Sequence, residues 1–225
     1  MNVIIFGATG MVGQGVLHEC LRDDRVERVL VVGRTPVASV GVEDPKVREI
    51  VRADLTDLGD IEDELSGYDA CFFCLGVSSV GMKEDAYRRI TYDLTMAAAR
   101  PLARLSPGMT FTYVSGVGTD SSERGRSMWA RVKGKTENDL IALFPHSYMF
   151  RPGYIRPMPG VVSGTVWYRA LYAVLSPLHP VLERLIPGQV TTSEELGRAM
   201  IEVAVSGADT RVLGPREFNE VAARR

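Results

Sequence analysis

The stretch Gly7-Ala8-Thr9-Gly10-Met11-Val12-Gly13 constrains the fold of this chain more than any other. It follows directly on the apolar run Val3-Ile4-Ile5-Phe6 and leads into a segment that carries Val12, Val16, Leu17, Cys20 and Leu21 on one helical face. A buried strand, a tight turn and a helix are the expected result. Glycine is needed there because the turn uses dihedrals closed to other residues, a ligand must approach the backbone, and the helix must pack close to the strand. The free N–H groups opening such a helix form an anion site suited to a pyrophosphate. Gly7, Thr9, Gly10, Met11, Val12 and Gly13 are therefore candidate dinucleotide-binding residues. A glycine-rich turn that serves packing alone is the alternative, and the strand-turn-helix setting argues against it.

The first two thirds of the chain alternates in the same way. Val29–Val32, 71–75, Phe111–Val114 and 148–150 read as buried strands, with a weaker one at Val47–Val51. A second helix carries Ala86, Ile90, Leu94, Ala97 and Ala98 as its seam and is bent or ended by Pro101, and a third runs from about Ser127 to Phe144 with Ser127 as its cap. Strands alternating with helices imply a doubly wound α/β fold built on a parallel sheet. After Arg151 the texture becomes rich in proline and glycine, until Thr191-Thr192-Ser193-Glu194-Glu195 caps a helix running through Val205. The expected organisation is one domain over residues 1–225, with a core at 1–155 and a small C-terminal lid and substrate region at 156–225.

Composition removes the competing classes. Among 225 residues, 26 Lys+Arg balance 28 Asp+Glu and 45% are hydrophobic, which excludes a disordered chain and a generally basic nucleic-acid binder. Three cysteines exclude a disulfide scaffold. Cys71 and Cys74, at odd spacing on a strand, point to opposite faces and make a poor metal pair. No spacing of His18, His146 and His179 with acids suggests a metal site. The N-terminus has no basic stretch and no cleavage site, so a cytoplasmic protein is expected. The longest uncharged run of the best membrane candidate, 13 residues between Arg169 and Glu183 with Pro177 and Pro180, is too short for a transmembrane segment.

Two positions bear on the choice of dinucleotide. The second strand ends in Val32-Gly33-Arg34, where a site selective for NAD would offer an acid to the ribose. A guanidinium suits a 2′-phosphate, so NADP is favoured, with NAD as the alternative. Arg34 could also be a solvated loop cation or stack on the adenine. Asp54, in Arg52-Ala53-Asp54-Leu55, either meets the adenine amino group or caps the helix that follows Thr56.

With GATGMVG, VVGR, RADL, CLGV, YVSG, VKGKTE and FRPGYI in view, residues 1 to 155 resemble the short-chain dehydrogenase/reductase superfamily. The resemblance is to its atypical, epimerase-like branch around the HTATIP2/TIP30 group. It implies an NAD(P)-binding Rossmann fold and oxidoreductase chemistry. It further implies cofactor contacts at Asp54, Leu55, Leu75, Gly76, Pro152, Gly153, Tyr154 and Ile155, and catalytic roles for Ser115 and Lys133, the lysine also holding the nicotinamide ribose. In that superfamily helices matching those at about 83–105 and around Lys133 pair across dimers, so a homodimer is implied as well.

The sequence departs from the family at one place. The family's catalytic tyrosine stands four residues before the lysine, and here that position is Trp129, one of two tryptophans in the chain. Positions 129 and 133 still share a helix face, but an indole N–H does not ionise near neutrality and cannot exchange the proton. Three readings follow. Another group supplies the proton, with Tyr92, Tyr113 and Tyr154 as candidates; or the proton arrives through water; or the protein binds dinucleotide without turning it over, as a regulatory or scaffold module. The substrate would be a small molecule of unknown identity. Trp167, Tyr168, Tyr172 and Leu175 fit an apolar one, a membrane surface or a partner subunit, but core packing is the favoured reading of these four.

Overall fold

The computed structural model describes residues 1–158 and 190–224. Seven parallel strands form one sheet: β1 (Asn2–Phe6), β2 (Arg28–Gly33), β3 (Val47–Val51), β4 (Ala70–Phe73), β5 (Thr110–Val114), β6 (His146–Phe150) and β9 (Val212–Leu213), in the order β3-β2-β1-β4-β5-β6-β9. The order reverses between β1 and β4, which opens a crevice at the carboxyl ends of these two strands. The central strands read as unbroken apolar runs because both their faces are covered. Val3 and Ile5 point into one core; Ile4 and Phe6 point into the other. Edge strand β3 is largely exposed and carries Arg48 and Glu49.

One layer holds α1 (Met11–Arg22), α6 (Ser193–Ser206) and α7 (Pro215–Ala222). Helices α1 and α6 cross at glycines. A Cβ at Gly15 would lie 2.4 Å from the Ser193 Cβ, and one at Gly197 would lie 3.0 Å from the Val16 Cα. This contact seats a helix from the far end of the sequence against the helix that follows the glycine loop. Helix α6 starts with a full capping box, in which Glu195 N–H donates to Thr192 Oγ1 at 3.0 Å and Thr192 N–H donates to the Glu195 carboxylate at 2.7 Å. Replacing Thr192 with alanine is expected to cost about 1 kcal/mol. A thermal melt should show this as a drop of roughly 2–4 °C.

The other layer holds α2 (Glu62–Leu65), α3 (Glu84–Arg88), α4 (Leu94–Leu105) and α5 (Met128–Leu143). Its core is an aromatic row, with ring centroids 5.3 Å apart for Phe6 and Phe73, 6.0 Å for Phe73 and Phe111, and 4.8 Å for Phe111 and Phe144. Between α3 and α4 the chain makes a π-helical turn, Arg89–Asp93. The wider turn adds a residue and rotates the seam. Tyr87, Thr91, Thr95, Ala98 and Leu102 face inward, whereas Ile90 is 42% exposed and Leu94 and Ala97 are only partly covered. The regular helical seam expected from sequence is therefore displaced. Pro101 sits inside α4 without ending it. Helix α5 matches the expected span, though Ser127 caps it without a side-chain hydrogen bond.

Three features have no counterpart in the sequence reading: β9, helix α7, and a small parallel pair formed by β7 (Tyr154–Arg156) and β8 (Val190–Thr192). The expected aromatic cluster Trp167, Tyr168, Tyr172 and Leu175, like His179, lies outside the described residues. Among the described residues no helix is long and apolar enough to cross a membrane.

Candidate functional site

The glycine loop lies at the crevice between β1 and β4. Gly7 takes φ +82°, and a Cβ there would come within 2.8 Å of the Leu75 backbone nitrogen. At Gly13 a Cβ would meet the Gly7 carbonyl oxygen at 2.0 Å. The turn is closed by Gly10 N–H donating to the Gly7 carbonyl at 3.0 Å, and Gln14 Nε2 donates to the Thr9 carbonyl at 2.9 Å. Helix α1 has Gly10 as its N-cap, no capping side chain and no acid in its first turn. The amides of Met11, Val12 and Gly13 therefore remain open toward the crevice, with the dipole of α1 behind them. These are the requirements of a pyrophosphate site, and the residues present meet them.

Around the loop the other expected contacts fall on the same carboxyl edge of the sheet. Arg34 emerges exposed from the end of β2 and has no hydrogen bond or ion pair among the described residues. Arg52 follows β3, bonding the Asp54 carbonyl through Nε at 2.8 Å and Asp60 through Nη1 at 2.6 Å. Asp54 Oδ1 accepts from Thr56 N–H at 2.8 Å and from Thr56 Oγ1 at 2.7 Å, bonds that hold its carboxyl below the usual range. The expected capping of a helix after Thr56 is not seen: these bonds close a local turn, and the next helical turn starts only at Gly59 with Leu58 before it, while Leu55 is buried. Leu75 borders Gly7, and Gly76 is exposed with open space where a side chain would stand. Beyond β6, Pro152 and Ile155 are buried, Gly153 is exposed and Tyr154 is half-buried, its phenol pushed up by burial. The Pro152 carbonyl accepts from Val117 N–H at 3.0 Å, linking the ends of β5 and β6.

Ser115 and Lys133 come together as expected, through main chain. Lys133 Nζ donates to the Ser115 carbonyl at 2.6 Å and to the Val114 carbonyl at 3.4 Å. Burial pulls the amine down to about 8, opposed by Glu137 one helical turn further along. The Ser115 hydroxyl turns inward, 2.5 Å from Glu137 Oε1 and 3.1 Å from the Phe150 carbonyl. Glu137 is fully buried, and its carboxylate receives Arg151 Nε at 3.1 and 3.2 Å and Nη2 at 2.5 Å. Arg151 Nη2 also donates to Ser121 Oγ at 2.5 Å. Glu137 and Arg151 are central to this cluster and were missed in the sequence. The available signal was spacing, because Lys133 and Glu137 stand four apart on one face of α5.

Trp129 packs beside the turn after β5, where a Cβ on Gly118 would lie 3.4 Å from its ring. Two of the three tyrosine candidates are committed elsewhere. Tyr113 is 1% exposed, with its phenol driven up by burial. Tyr92 donates to Asp139 at 2.5 Å between Arg88 and Lys135, whose cations stand 5.0 and 5.2 Å from its ring centre. The thiols follow the expected geometry, Cys71 facing one core and Cys74 the other, with Cys74 pushed up to about 12 by burial. Among the described residues no three His, Cys, Asp or Glu side chains form a metal cluster. A cleft of about 580 Å³ lined by Thr110, His146, Tyr148 and Asp209 opens at the opposite, amino-terminal edge of β5 and β6. Ligands of such sheets bind at the carboxyl edge, so this cleft is separate from the candidate site.

Comparison with known proteins agrees with this geometry. A family model described as NAD(P)H-binding matches residues 7–135, more than half of the chain. The chain is 31% identical over 157 residues to the protein named FMP52, mitochondrial, of Debaryomyces hansenii, covering 68% of this chain and 66% of that protein. It is 28% identical over 155 residues to HTATIP2 of Rattus norvegicus, covering 68% of this chain and 62% of that protein. Among solved structures, an oxidoreductase of the short-chain dehydrogenase/reductase family from Burkholderia thailandensis superposes with a TM-score of 0.69 at 16% identity, over 97% of this chain and 92% of that one. The chain belongs to the NAD(P)H-binding family and carries its Rossmann fold.

Proposed function

We propose that the protein is an NADP(H)-binding oxidoreductase-like member of the atypical short-chain group. The observation that carries this reading is the uncapped N-terminus of α1 above a glycine cradle at the sheet's crossover point. The α1 amides would hold the pyrophosphate, Arg34 the 2′-phosphate, Lys133 the ribose, and the backbone of Pro152 to Ile155 the carboxamide. NADPH, when bound, supplies the hydride. The substrate is a small apolar carbonyl compound or alcohol, because the loops flanking the site carry exposed Val77, Val80 and Val117 and no charged residue over 75–82 or 115–119. The remaining substrate contacts are assigned to residues 156–225. Ile90, exposed on the π-helical turn between α3 and α4, with Ala86, Leu94 and Ala97 half-buried beside it, supports a homodimer, to be checked by sedimentation. Fractionation decides between a cytoplasmic location and the mitochondrial one that the FMP52 name carries.

Titration against NADPH fluorescence tests the binding half. Arg34→Asp is expected to weaken NADPH by tenfold to a hundredfold, about 1.5–3 kcal/mol for a charge-assisted contact, with little change for NADH. Equal weakening of both would remove the phosphate role of Arg34. A carbonyl-substrate screen tests the catalytic half. A second reading, a non-catalytic dinucleotide-binding module, is favoured by two observations: position 129 holds an indole, and the Ser115 hydroxyl is spent on Glu137. Tight binding with no turnover across substrate classes would establish it.

A further inference from the structure

We propose that Lys133 itself is the proton donor of this site, taking the part a tyrosine plays in its relatives; this rests on the oxidoreductase reading above. Position carries it, together with the elimination of every nearby hydroxyl among the described residues except that of Tyr154, against which the turnover experiment sets Lys133. Trp129 cannot exchange a proton. The Ser115 hydrogen is directed at acceptors beneath α5, Thr119 Oγ1 donates to the Gly116 carbonyl at 2.7 Å, Tyr113 is sealed in the core and Tyr92 is held by Asp139. Lys133 Nζ, by contrast, is fastened to the carbonyls of Val114, which ends β5, and of Ser115 just after it, beside the β4 end where Leu75 meets the glycine loop. Those two bonds use two of its three hydrogens and leave one to give.

The surroundings allow the amine to titrate in the working range. Lys133 has no ion-pair partner among the described residues. Glu137, the nearest acid on α5, is already taken by Arg151 from the end of β6 and by Ser115. Strand β5 offers only carbonyls, and Asp120 in the loop above turns its carboxylate to Ser122 and Gly125. The amine is accordingly drawn down to about 8, where it loses and regains a proton readily. In the reductive direction hydride adds to the substrate carbonyl carbon, the carbonyl oxygen takes the proton as the Nζ–H bond breaks, and the neutral amine is reprotonated from water. NADPH is oxidised to NADP⁺ and the carbonyl is reduced to the alcohol. Because the charged amine is the acid, reduction should slow as pH rises through its midpoint, and oxidation should quicken.

The chain has four lysines, Lys46, Lys83, Lys133 and Lys135, so lysine labelled with ¹³C at Cε gives a readable titration. Lys133→Arg identifies the resonance; if that variant does not fold, Lys46→Arg, Lys83→Arg and Lys135→Arg identify it by elimination. The expected midpoint is about 8 in the free protein. It should be lower with NADP⁺ than with NADPH, because only the oxidised ring places a positive charge next to Nζ. A midpoint at the ordinary lysine value of about 10.4 would overturn the proposal, as would equal midpoints in the two complexes. NADPH fluorescence on the same sample separates the two readings: absence of binding sinks the dinucleotide reading and this proposal with it. With a substrate from the screen and NADPH at saturation, Lys133→Arg should lose roughly a hundredfold or more in turnover even where its NADPH affinity also falls, while Tyr154→Phe stays within a few-fold. The reverse pattern would assign the proton to Tyr154.

Discussion

Gly13→Ala is expected to abolish dinucleotide binding and to lower stability at the same time. The added methyl would sit 2.0 Å from the Gly7 carbonyl oxygen, 2.7 Å from its carbon and 2.8 Å from the Ala8 Cα. All three are main-chain atoms, so no side-chain rotation relieves the clash, and the loop must lift from α1. Overpacking of this kind costs typically 1–3 kcal/mol. The larger consequence is functional, because the loop and the first turn of α1 must be mutually placed for their amides to converge on one phosphate. We expect NADPH affinity to fall by more than about a hundredfold, consistent with losing two or more charge-assisted hydrogen bonds. Gly76→Ala is the matched control. Its Cβ meets nothing within 4 Å, so folding should be untouched and any loss of binding reports the cofactor passing over that residue. A Gly13→Ala variant with wild-type melting and binding would refute the cradle.

The second large effect is expected at Glu137. Truncation to alanine leaves Arg151 without its anion and Ser115 without its acceptor in a fully buried setting, and should cost about 3–5 kcal/mol in urea unfolding. That is a large share of the roughly 5–15 kcal/mol that holds a domain together. The pair itself need not be strongly stabilising, since removing both charges spares the penalty of an orphan. Glu137→Met combined with Arg151→Met should therefore be less damaging than Glu137→Ala alone. If the double variant is as unstable as the sum of the two single ones, the residues are not coupled and the reading of this cluster is wrong.

How far the sequence could lead is seen in these same residues. β1, β2 and β4 announce themselves because strands covered on both faces are apolar throughout, and Gly7 and Gly13 announce a turn that excludes side chains. Lys133 and Ser115 were legible through their motifs. Their partners were not, since Glu137 and Arg151 are ordinary charged residues on a helix and at a strand end, and only the fold places them together. Ile90 misled because a single wide turn breaks the helical period on which its assignment depended. β9, two residues long, leaves no periodic trace in a sequence. The inward turn of the Ser115 hydroxyl is a fact of geometry that no residue string carries.

The crossing of α1 and α6 has a further consequence, in the order of assembly. The helix that presents its amides to the crevice is clamped at Gly15 by Ser193 and at Val16 by Gly197, while Arg25 just beyond it is tied to Glu202 at 2.8 Å. On a ribosome, the glycine loop emerges early and its brace emerges almost two hundred residues later. The loop and first strands can pair as they appear, but the face of α1 stays uncovered until α6 arrives, a contact of high sequence separation that should fall late in folding. Nascent chains stalled before Ser193 should accordingly protect the sheet from hydrogen exchange while leaving α1 open.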